Sequence, residues 1–417
     1  MLYERWKQIA RDYRAEIALR DFSRGQQWTF GELAALTEKG ASDRRPLFYP
    51  QGMSSDFVVS VLTSWREGKV VCPLETGQDP PSVPVPVAPV VHLKTTSAST
   101  RAPRLVAFTA AQLAADAENI LQTMGLRPDW PNLGVISLAH SYGFSNLVLP
   151  LLLHAIPLIL VNSALPERLR AAASAAPALT LAAVPALWRA WHEANAIPHN
   201  VRLAISAGAP LPLPLEKEIF QQTGLKLHNF YGATECGGIA CDTTDTPRTD
   251  PSCVGAAMKN VMLTAGAEGC LEVRSAAVGE TYWPEPDPSL ERGCYRTSDL
   301  VELKDGQVFL RGRVSDQINV AGRKVSPDTI EGALLTHPSI VDCIVFGVPS
   351  ADAGRTEDIV ACVAAQPSLT GETLRQFLLL QLPAWQIPRN WWFVDSLTTN
   401  ERGKRSRAEW RKRYLER

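Results

Sequence analysis

Short apolar segments alternate with helix-like segments through most of the chain, and this alternation limits the folds open to it. Residues 134–205 show short strand patterns between Ala- and Leu-rich helical patterns, and residues 69–73 and 90–94 predict buried strands. Such alternation is typical of an α/β layer, in which helices cover the faces of a sheet. Because a chain of 417 residues is too long to fold around one small core, two or three domains or subdomains are expected. Further helices are predicted at residues 2–16, 31–37, 57–65 and 110–124.

The pattern changes twice in the C-terminal half of the chain. From Gly255 to Phe309, short strand patterns separated by Gly and Pro turns predict a β subdomain. After Arg313, a small α+β domain is predicted over residues 315–417, which leaves residues 1–314 as a large N-terminal domain of α/β subdomains plus the β subdomain. The predicted elements of the small domain are helices at 329–335 and 370–380, strands at 340–348 and 358–365, and a helix cap at Ser326 or Asp328.

Charge and apolar patterning exclude several classes of protein. Lys and Arg number 42 against 43 Asp and Glu, so no global field draws the chain to nucleic acid or to a membrane surface. The longest apolar run, residues 144–161, contains His154 and two prolines, and it predicts a buried helix followed by a strand rather than a membrane span. The first residues lack the apolar core of a signal peptide. Eight scattered cysteines without a C-x-x-C motif indicate reduced thiols in a cytoplasmic enzyme, with neither a zinc site nor a disulfide framework.

The segment Asn229-Phe230-Tyr231-Gly232-Ala233-Thr234-Glu235 combines groups that suit a nucleotide with a metal-bound phosphate. The Tyr231 ring can stack on a base, and Gly232 lets the backbone approach a ligand closely. The Thr234 hydroxyl can bond a phosphate oxygen, and the Glu235 carboxylate is a hard oxygen ligand for Mg²⁺. Taken alone, the segment also fits an ordinary turn after a strand.

Three further motifs follow in order: residues 295–299 (Tyr-Arg-Thr-Ser-Asp), residues 312–324, which begin Gly-Arg-Val-Ser-Asp, and Gly403-Lys404. Together with Tyr231 to Glu235 they resemble the signature set of the adenylate-forming superfamily, which includes acyl-CoA and aryl-CoA ligases, peptide-synthetase adenylation domains and luciferases. The resemblance covers nearly the whole chain. It implies that ATP and Mg²⁺ are bound by the large domain and that the small C-terminal domain is mobile.

The loop from Thr95 to Arg104 matches the position of the family's Ser/Thr/Gly-rich loop over the β- and γ-phosphates of ATP. Hydroxyls and backbone N–H groups in such a loop can form an anion-binding nest. The loop departs from the family pattern, because Ala98 and Arg101 stand where glycines are usual and Arg104 replaces a lysine. A polar surface loop without ligand is the alternative. The contacts that the resemblance implies for ATP are Thr96, Ser97, Ser99, Thr100 and Arg104.

The resemblance also assigns the nucleoside and metal contacts. Tyr231 would stack on adenine, with Gly208 and Ala209 in a turn beside it. Thr234 would contact the α-phosphate and Glu235 would hold Mg²⁺. Two contacts with the ribose side are also implied, Asp299 with both ribose hydroxyls and Arg313 with the ribose or a phosphate. The alternatives are a turn residue for Asp299 and a surface ion pair for Arg313.

Four other residues match positions that act on the acyl group or the thiol in the family. His140 matches the gate at the carboxylate end of the acyl pocket, although a structural histidine is the alternative. Lys404 matches the mobile lysine that bridges the acid and the phosphate, where its charge would offset that of the transition state. Ser315 falls at the hinge, which usually has Asp or Lys, and Gly322 matches a glycine of the thiol tunnel.

The sequence therefore predicts an AMP-forming ligase that activates an acyl or aryl acid with ATP and transfers it to the thiol of CoA or of a carrier-protein phosphopantetheine. The predicted partners are a small carboxylic acid, CoA or an acyl carrier protein, and a second copy in a possible homodimer. A degenerate member that binds nucleotide or acyl ligand without turnover is the alternative, supported by the altered phosphate loop and Ser315. The basic segment 402–417 fits a solvated helix or the docking of an acidic carrier or a nucleotide-tailed thiol.

Overall fold

The computed structural model describes residues 1–40, 45–96, 104–350, 352, 356–365, 369–397 and 406–417. It is an α/β protein with a large sheet and a smaller C-terminal α+β part, which confirms the predicted fold class. The helices in chain order are α1 (Leu2–Asp12), α2 (Phe30–Lys39), α3 (Ser55–Arg66), α4 (Ala110–Met124), α5 (Ser141–Gly143), α6 (Leu149–His154), α7 (Pro166–Ala173), α8 (Pro185–Glu193), α9 (Leu213–Thr223), α10 (Pro327–Leu334), α11 (Gly371–Leu379) and α12 (Arg407–Leu415).

The strands of the first half of the chain are β1 (Ile17–Asp21), β2 (Gln26–Thr29), β3 (Leu47–Phe48), β4 (Val70–Val71), β5 (Val90–Thr95), β6 (Leu105–Thr109), β7 (Asn132–Gly134), β8 (Leu158–Leu160), β9 (Leu179–Ala183), β10 (Val201–Ser206), β11 (Leu227–Ala233) and β12 (Gly237–Cys241). Those of the second half are β13 (Cys253–Ala257), β14 (Met262–Ala265), β15 (Cys270–Arg274), β16 (Thr281–Trp283), β17 (Leu290–Glu291), β18 (Cys294–Lys304), β19 (Gln307–Arg313), β20 (Ile318–Val320), β21 (Arg323–Val325), β22 (Ile340–Pro349), β23 (Glu357–Ala365) and β24 (Asn390–Val394).

The predicted elements agree with the structure best where local signals are strong. Helix α4 has the predicted bounds, because Thr109 and Gln112 form a capping box and Gly125 ends the helix in the left-handed region. Helix α1 was predicted to reach residue 16 but ends at Asp12, since a turn bonds the Glu16 N–H to the Tyr13 carbonyl before β1 starts. Ser326 precedes α10 as predicted, yet its side chain makes no capping hydrogen bond.

A parallel layer forms the centre of the large sheet. Its strands run in the order β11–β10–β9–β7–β8–β1, and all neighbouring pairs within this order are parallel. Every residue of β9 is buried, as expected for a parallel strand covered on both faces. Because the strands are parallel, the loops that follow β7, β9, β10 and β11 emerge at one edge, which is where ligands bind in such sheets.

The sheet continues beyond β11 as an antiparallel layer, through β12, β13, β19, β18, β15 and β14. This layer confirms the β subdomain predicted for residues 255–309. A second sheet of β16, β6, β5, β4 and β3 packs in the N-terminal part. The run at 144–161 forms a π-helix (Phe144–Val148), helix α6 and strand β8, so the predicted buried helix and strand are confirmed. Among the described residues, no helix is long and apolar enough to cross a membrane.

The C-terminal part is built on a sheet of β22, β23 and β24 with a separate core on each face. Val345 and Val363 point into a cluster with α10 and α11, whereas Phe346 and Cys362 point into a cluster with Trp410 of α12. This alternation follows from the two-residue period of strand side chains. The eight cysteines, all within the described residues, are unpaired.

A buried ion cluster joins α9 to the ends of β11 and β12. Lys226 Nζ lies 2.6 Å from Asp242 Oδ2 and also contacts Glu216. Arg248 Nε donates to Glu216 Oε2 at 2.8 Å. All four side chains are almost completely excluded from solvent. Removal of one partner from such a cluster leaves a buried charge without compensation.

We expect Lys226→Met to lower the free energy of unfolding by about 3–5 kcal/mol, the usual loss when one member of a buried ion pair is removed. Urea denaturation measures the change. Lys412→Met is the matched control, because Lys412 pairs with Glu416 on the exposed face of α12 and such pairs contribute at most about 1 kcal/mol. Equal, small losses in both variants would contradict a structural role for the cluster.

Candidate active site

A cavity of about 1220 Å³ opens at the carboxyl edge of the parallel strands. Its wall is formed by the loops after β4, β7, β9 and β10, the hairpin between β11 and β12, and the adjoining ends of β5, β18 and β19. Most of the predicted site residues lie in this wall. The structure thereby brings together segments that are spread along the chain from Glu75 to Ser315.

Asp299 links two strands at one end of the cavity. Its Oδ2 accepts a hydrogen bond from the Tyr231 hydroxyl on β11, and its Oδ1 accepts one from Arg313 Nε at 2.6 Å. Asp299 and Arg313 are direct partners in the β18–β19 register, which fixes their side chains next to each other. The Asp299 carboxylate raises the pKa of the Arg313 guanidinium, and burial raises the pKa of the Tyr231 hydroxyl. The Asp299 carboxylate and the Arg313 guanidinium thus form an ion pair, and the Tyr231 ring lies beside it.

Glu235 lies on the turn of the β11–β12 hairpin and faces the same cavity. The Tyr282 hydroxyl donates to Glu235 Oε1 at 3.0 Å. Burial raises the pKa of the Glu235 carboxyl, while this hydrogen bond and the Arg104 and Arg313 charges act in the opposite sense. The turn needs glycine at position 237, where φ is +70° and an added Cβ would lie 2.0 Å from Asp116 Oδ1. Gly237 thus allows the chain to reverse direction between β11 and β12, and the turn places Glu235 in the cavity wall.

The residues around Glu235 fit a magnesium ion that is bound mainly through a substrate. Mg²⁺ is usually held by one or two carboxylates together with phosphate oxygens and water. Within the described ranges, no group of three or more acidic, His or Cys side chains could form a complete protein cage. A single carboxylate with a pKa raised by burial gains stability when a cation approaches it. Glu235 with Thr234 beside it is therefore a suitable anchor for a metal–phosphate group.

Arg104 lies at the cavity wall near Glu235 but is held by two other side chains. Its Nη1 donates to Asp287 Oδ2 at 2.9 Å, and its guanidinium stacks over the Tyr282 ring at 3.5 Å. Hydrogen bonds that Ser289 donates to the Asp287 carboxylate, with a smaller effect of Arg104, lower the pKa of Asp287 to about 2. Thr96 closes the base of the predicted phosphate loop, since its N–H donates to the Arg104 carbonyl at 2.8 Å. Ser97, Ser99 and Thr100 of that loop lie outside the described residues.

His140 also lies in the cavity wall, just before α5. Its Nε2 is 2.9 Å from Glu75 Oε1, which also accepts a hydrogen bond from Ser137 Oγ at 2.5 Å. The backbone segments pack closely here. Position 143 therefore needs glycine, because an added Cβ would lie 1.9 Å from the Ser137 carbonyl oxygen. The π-helix that follows is a geometry found frequently at functional sites.

Of the remaining predicted site residues, some line the cavity and others do not. Gly208 lines the cavity after β10, whereas Ala209 lies next to it and is not part of the lining. Ser315 lines the cavity and donates to Asp316 Oδ1 at 3.0 Å. Gly322 lies in the turn between β20 and β21 and does not line the cavity. Lys404 lies outside the described residues.

Sequence reasoning missed several residues that complete the cavity. Tyr282 and Asp287 hold Glu235 and Arg104, and Glu75 pairs with His140. Asn146 lines the cavity from the π-helix. None of these side chains lies within a recognisable motif, and Tyr282, Asp287 and Glu75 each meet their partner across 47 residues or more. No local pattern marks them.

Comparison with protein families gives two matches along the chain. The model of the AMP-binding enzyme family matches residues 58–283. The model described as the AMP-binding enzyme C-terminal domain matches residues 329–404. The two matched regions contain Tyr231, Glu235 and Lys404, although they leave Asp299 and Arg313 between them.

Individual proteins show the same likeness. The mitochondrial malonate–CoA ligase of Homo sapiens is 30% identical over 240 residues, which are 49% of this chain and 42% of that protein. Feruloyl-CoA synthase of an Amycolatopsis species is 26% identical over 359 residues, covering 81% of this chain and 72% of that protein. The crystal structure of ATP-bound MatB from Rhodopseudomonas palustris has a TM-score of 0.87 at 19% identity and covers 99% of each chain.

We expect Glu235→Gln to stabilise the ligand-free protein at neutral pH by roughly 0.5–2 kcal/mol, the usual scale of a stabilising substitution. The reason is that the folded pKa of Glu235 is raised, so ionisation costs more in the folded state than in the unfolded state. The advantage should be complete above the folded pKa and should disappear as the pH falls through it towards the unfolded value. Urea unfolding across pH 4 to 8 measures it, and a variant less stable than the parent at neutral pH would contradict the account.

Proposed function

Because the chain belongs to the AMP-binding enzyme family, we propose that it is an AMP-forming ligase that joins a carboxylic acid to a thiol. The observation that carries the proposal is the arrangement of Tyr231, Asp299 and Arg313 beside Glu235 in one cavity. These residues supply groups that suit ATP. They are an aromatic ring for the base, a carboxylate that can accept from the ribose hydroxyls, a fixed cation, and a second carboxylate that can anchor a metal ion. The cavity is also large enough to leave space beyond these residues for an acid.

In the first half-reaction, an oxygen of the acid attacks the α-phosphorus of ATP and the bond to pyrophosphate breaks. The Asp299 carboxylate would accept hydrogen bonds from the ribose hydroxyls, while the Tyr231 ring would pack on adenine, with Gly208 beside it.

Other residues of the cavity would contact the phosphates and the acid. Thr234 would contact the α-phosphate, and Glu235 would hold Mg²⁺, which supplies charge neutralisation to the phosphates when bound. Arg104 would contact the outer phosphates after leaving Asp287, and His140 would border the acid.

In the second half-reaction, the thiol attacks the carbonyl carbon of the acyl-adenylate and AMP leaves. We place the boundary of the two domains at residues 314 and 315, where the core of residues 1–314 ends and a separate core begins at Ile318. Lys404 would reach the reacting groups in the first step, and Ser315 would supply the backbone rotation between the steps. Gly322, which lies outside the cavity, would border the thiol only after that rotation.

CoA and a carrier-protein phosphopantetheine both remain suitable thiols. The likeness to malonate–CoA ligase and feruloyl-CoA synthase supports CoA. The basic helix α12 would suit an acidic carrier, although Arg413 and Lys412 pair with acidic residues of the same helix. The choice can be tested by offering CoA and a phosphopantetheinylated carrier to the purified protein after adenylate formation.

One observation favours a second candidate, a member that binds ATP without turnover. Arg104 is engaged by Asp287 and Tyr282, so contact with the outer phosphates requires it to give up a salt bridge and a stacked ring. Isotope exchange between pyrophosphate and ATP separates the two candidates. We expect exchange that depends on both Mg²⁺ and a carboxylic acid, whereas ATP binding without exchange across a broad acid panel would support the second candidate.

We expect Asp299→Asn to weaken ATP binding by roughly 10- to 100-fold, because charge-assisted hydrogen bonds contribute about 1.5–3 kcal/mol. The substitution should leave the relative preference among acids unchanged. Calorimetric titration with ATP measures the effect. Asp305→Asn is the matched control, since Asp305 is exposed in the turn between β18 and β19. An unaltered dissociation constant in Asp299→Asn would remove this residue from the nucleotide site.

We expect Lys404→Ala to slow adenylate formation by about 10² to 10³, the usual loss when one preorganised charge is removed. The variant should retain thioester formation from a pre-made acyl-adenylate. Ser315→Pro should show the opposite pattern, because proline fixes φ near −65° and hinders the rotation between steps. Single-turnover assays of each half-reaction measure both, with Lys412→Ala as the control on α12. Equal impairment of the two half-reactions in both variants would contradict the alternating arrangement.

A further inference from the structure

A buried ion pair lies next to the wall of the cavity, and none of the substrate contacts assigned above involves it. Lys94 Nζ on β5 lies 3.4 Å from Asp116 Oδ2 on α4, and both side chains are 2% exposed. The Ser145 hydroxyl completes the cluster, because it donates to Asp116 Oδ2 at 2.6 Å and accepts from Lys94 Nζ at 2.9 Å. Burial lowers the pKa of the Lys94 amine, and the Asp116 carboxylate acts in the opposite sense. The carboxylate thus helps to keep the buried amine charged.

Asp116 also holds the stem of the turn that carries Glu235. Its Oδ1 accepts from the Gly238 N–H at 3.3 Å and lies against Gly237, where an added Cβ would be only 2.0 Å away. The pairing of β11 with β12 ends at Gly237, so only residues 234–236 form the turn. A loop this short has few conformations once its stem is fixed. Asp116 therefore helps to set the position from which Glu235 faces the cavity.

The same carboxylate connects this turn to two other parts of the cavity wall. Through Ser145 it binds the π-helix, which lines the cavity after α5. Through Lys94 it binds the end of β5, which continues into Thr95 and Thr96 of the lining. Thr96 closes the base of the predicted phosphate loop, since its N–H donates to the Arg104 carbonyl. Three segments of the wall therefore meet at one buried carboxylate.

We propose that Asp116 is a positioning residue for the metal–phosphate group, because its carboxylate holds the turn from which Glu235 reaches the Mg²⁺ ion bound to ATP. The proposal rests on the function proposed above and adds a residue to the same site. Asp116 does not belong to the described lining of the cavity, and it acts through the backbone of Gly237 and Gly238. Groups that orient a metal ligand are usually needed for tight metal binding. Loss of the carboxylate should therefore weaken the contribution of Mg²⁺ to ATP binding as well as the stability of the fold.

Calorimetric titration with ATP tests the proposal, in the absence of an acid so that no acyl-adenylate forms. Each protein is titrated once in EDTA and once in excess Mg²⁺, and the ratio of the two dissociation constants measures what the metal contributes. In the wild-type protein we expect Mg²⁺ to tighten binding. We expect Asp116→Asn to lower this ratio by about tenfold, the lower end of the usual cost of losing a group that orients a metal ligand. The amide keeps the size of the side chain but offers one acceptor oxygen in place of two.

Two further variants separate positioning from stability. Lys94→Met/Asp116→Leu removes both charges, and such apolar replacement of a buried ion pair is often neutral for stability. In urea denaturation it should recover most of the stability that Asp116→Asn loses, whereas its ratio should stay low. Lys226→Met is the matched control, because it breaks a buried ion cluster of which no member belongs to the described lining of the cavity. It should lose stability and keep the wild-type ratio.

The combined variant Asp116→Asn/Glu235→Gln shows whether the effect passes through Glu235. Glu235→Gln alone should lower the ratio, because the metal loses its carboxylate. The addition of Asp116→Asn should then change the ratio little, since the turn no longer carries a ligand to orient. Should the Asp116 variants fail to fold, Ser145→Ala decides. It removes a single donor to the same carboxylate and should lower the ratio by about threefold.

The outcomes separate this inference from the proposed function. A wild-type protein that does not bind ATP, or binds it equally with and without Mg²⁺, would contradict the proposed function itself. An unchanged ratio in Asp116→Asn would overturn the role of Asp116 and leave the ligase function in place. The same holds for a wild-type ratio in the stable apolar double variant, for an equal fall in Lys226→Met, or for a full further fall when Asp116→Asn is added to Glu235→Gln.

Discussion

The arrangement of the cavity depends on the two hydrogen bonds that the Asp299 carboxylate accepts. This carboxylate binds the hydroxyl of Tyr231 on one layer of the large sheet and the guanidinium of Arg313 on another, where the chain leaves for its C-terminal part. Two donors on one carboxylate fix three strands relative to each other at the edge where the parallel strands end. The same contact gives the cavity a polar end next to an aromatic ring. Loss of the carboxylate would therefore change the geometry of the site together with its charge.

The sequence predicted the fold class and the neighbourhood of the site because those features leave local patterns. The predicted bounds of α4 agree with the structure, where a capping box at Thr109 begins the helix, and contiguous motifs marked Tyr231 to Glu235 and the segment around Asp299. What it could not predict is the partner of each group. Glu235 meets Tyr282 across 47 residues and Arg104 meets Asp287 across 183, and such pairs arise only from the packing of the sheets. Asn146 gave no signal, since one amide within an apolar run resembles an ordinary core residue.

Arg104 shows how a departure from a family pattern can be compensated by its surroundings. A guanidinium is planar and stacks on aromatic rings, and here it does so on Tyr282 while it pairs with Asp287. A lysine could not make both contacts in the same way. The Arg104 guanidinium lies close enough to Glu235 to act against the rise in the pKa of that carboxyl, and we propose that it is also the cation that contacts the outer phosphates. Binding of a nucleotide would exchange one anionic partner of Arg104 for another, with little net change in charge.

The central claim is that this cavity joins an acid to the α-phosphate of ATP, and oxygen tracing tests it most directly. A preferred acid labelled with ¹⁸O in both carboxylate oxygens is turned over with ATP, Mg²⁺ and CoA, and the products are weighed by mass spectrometry. Attack of the carboxylate on the α-phosphorus predicts AMP that contains one ¹⁸O atom, with unlabelled pyrophosphate. Unlabelled AMP, or ADP with the label in inorganic phosphate, would contradict the account, because the acid would then have reacted at another phosphorus or not at all.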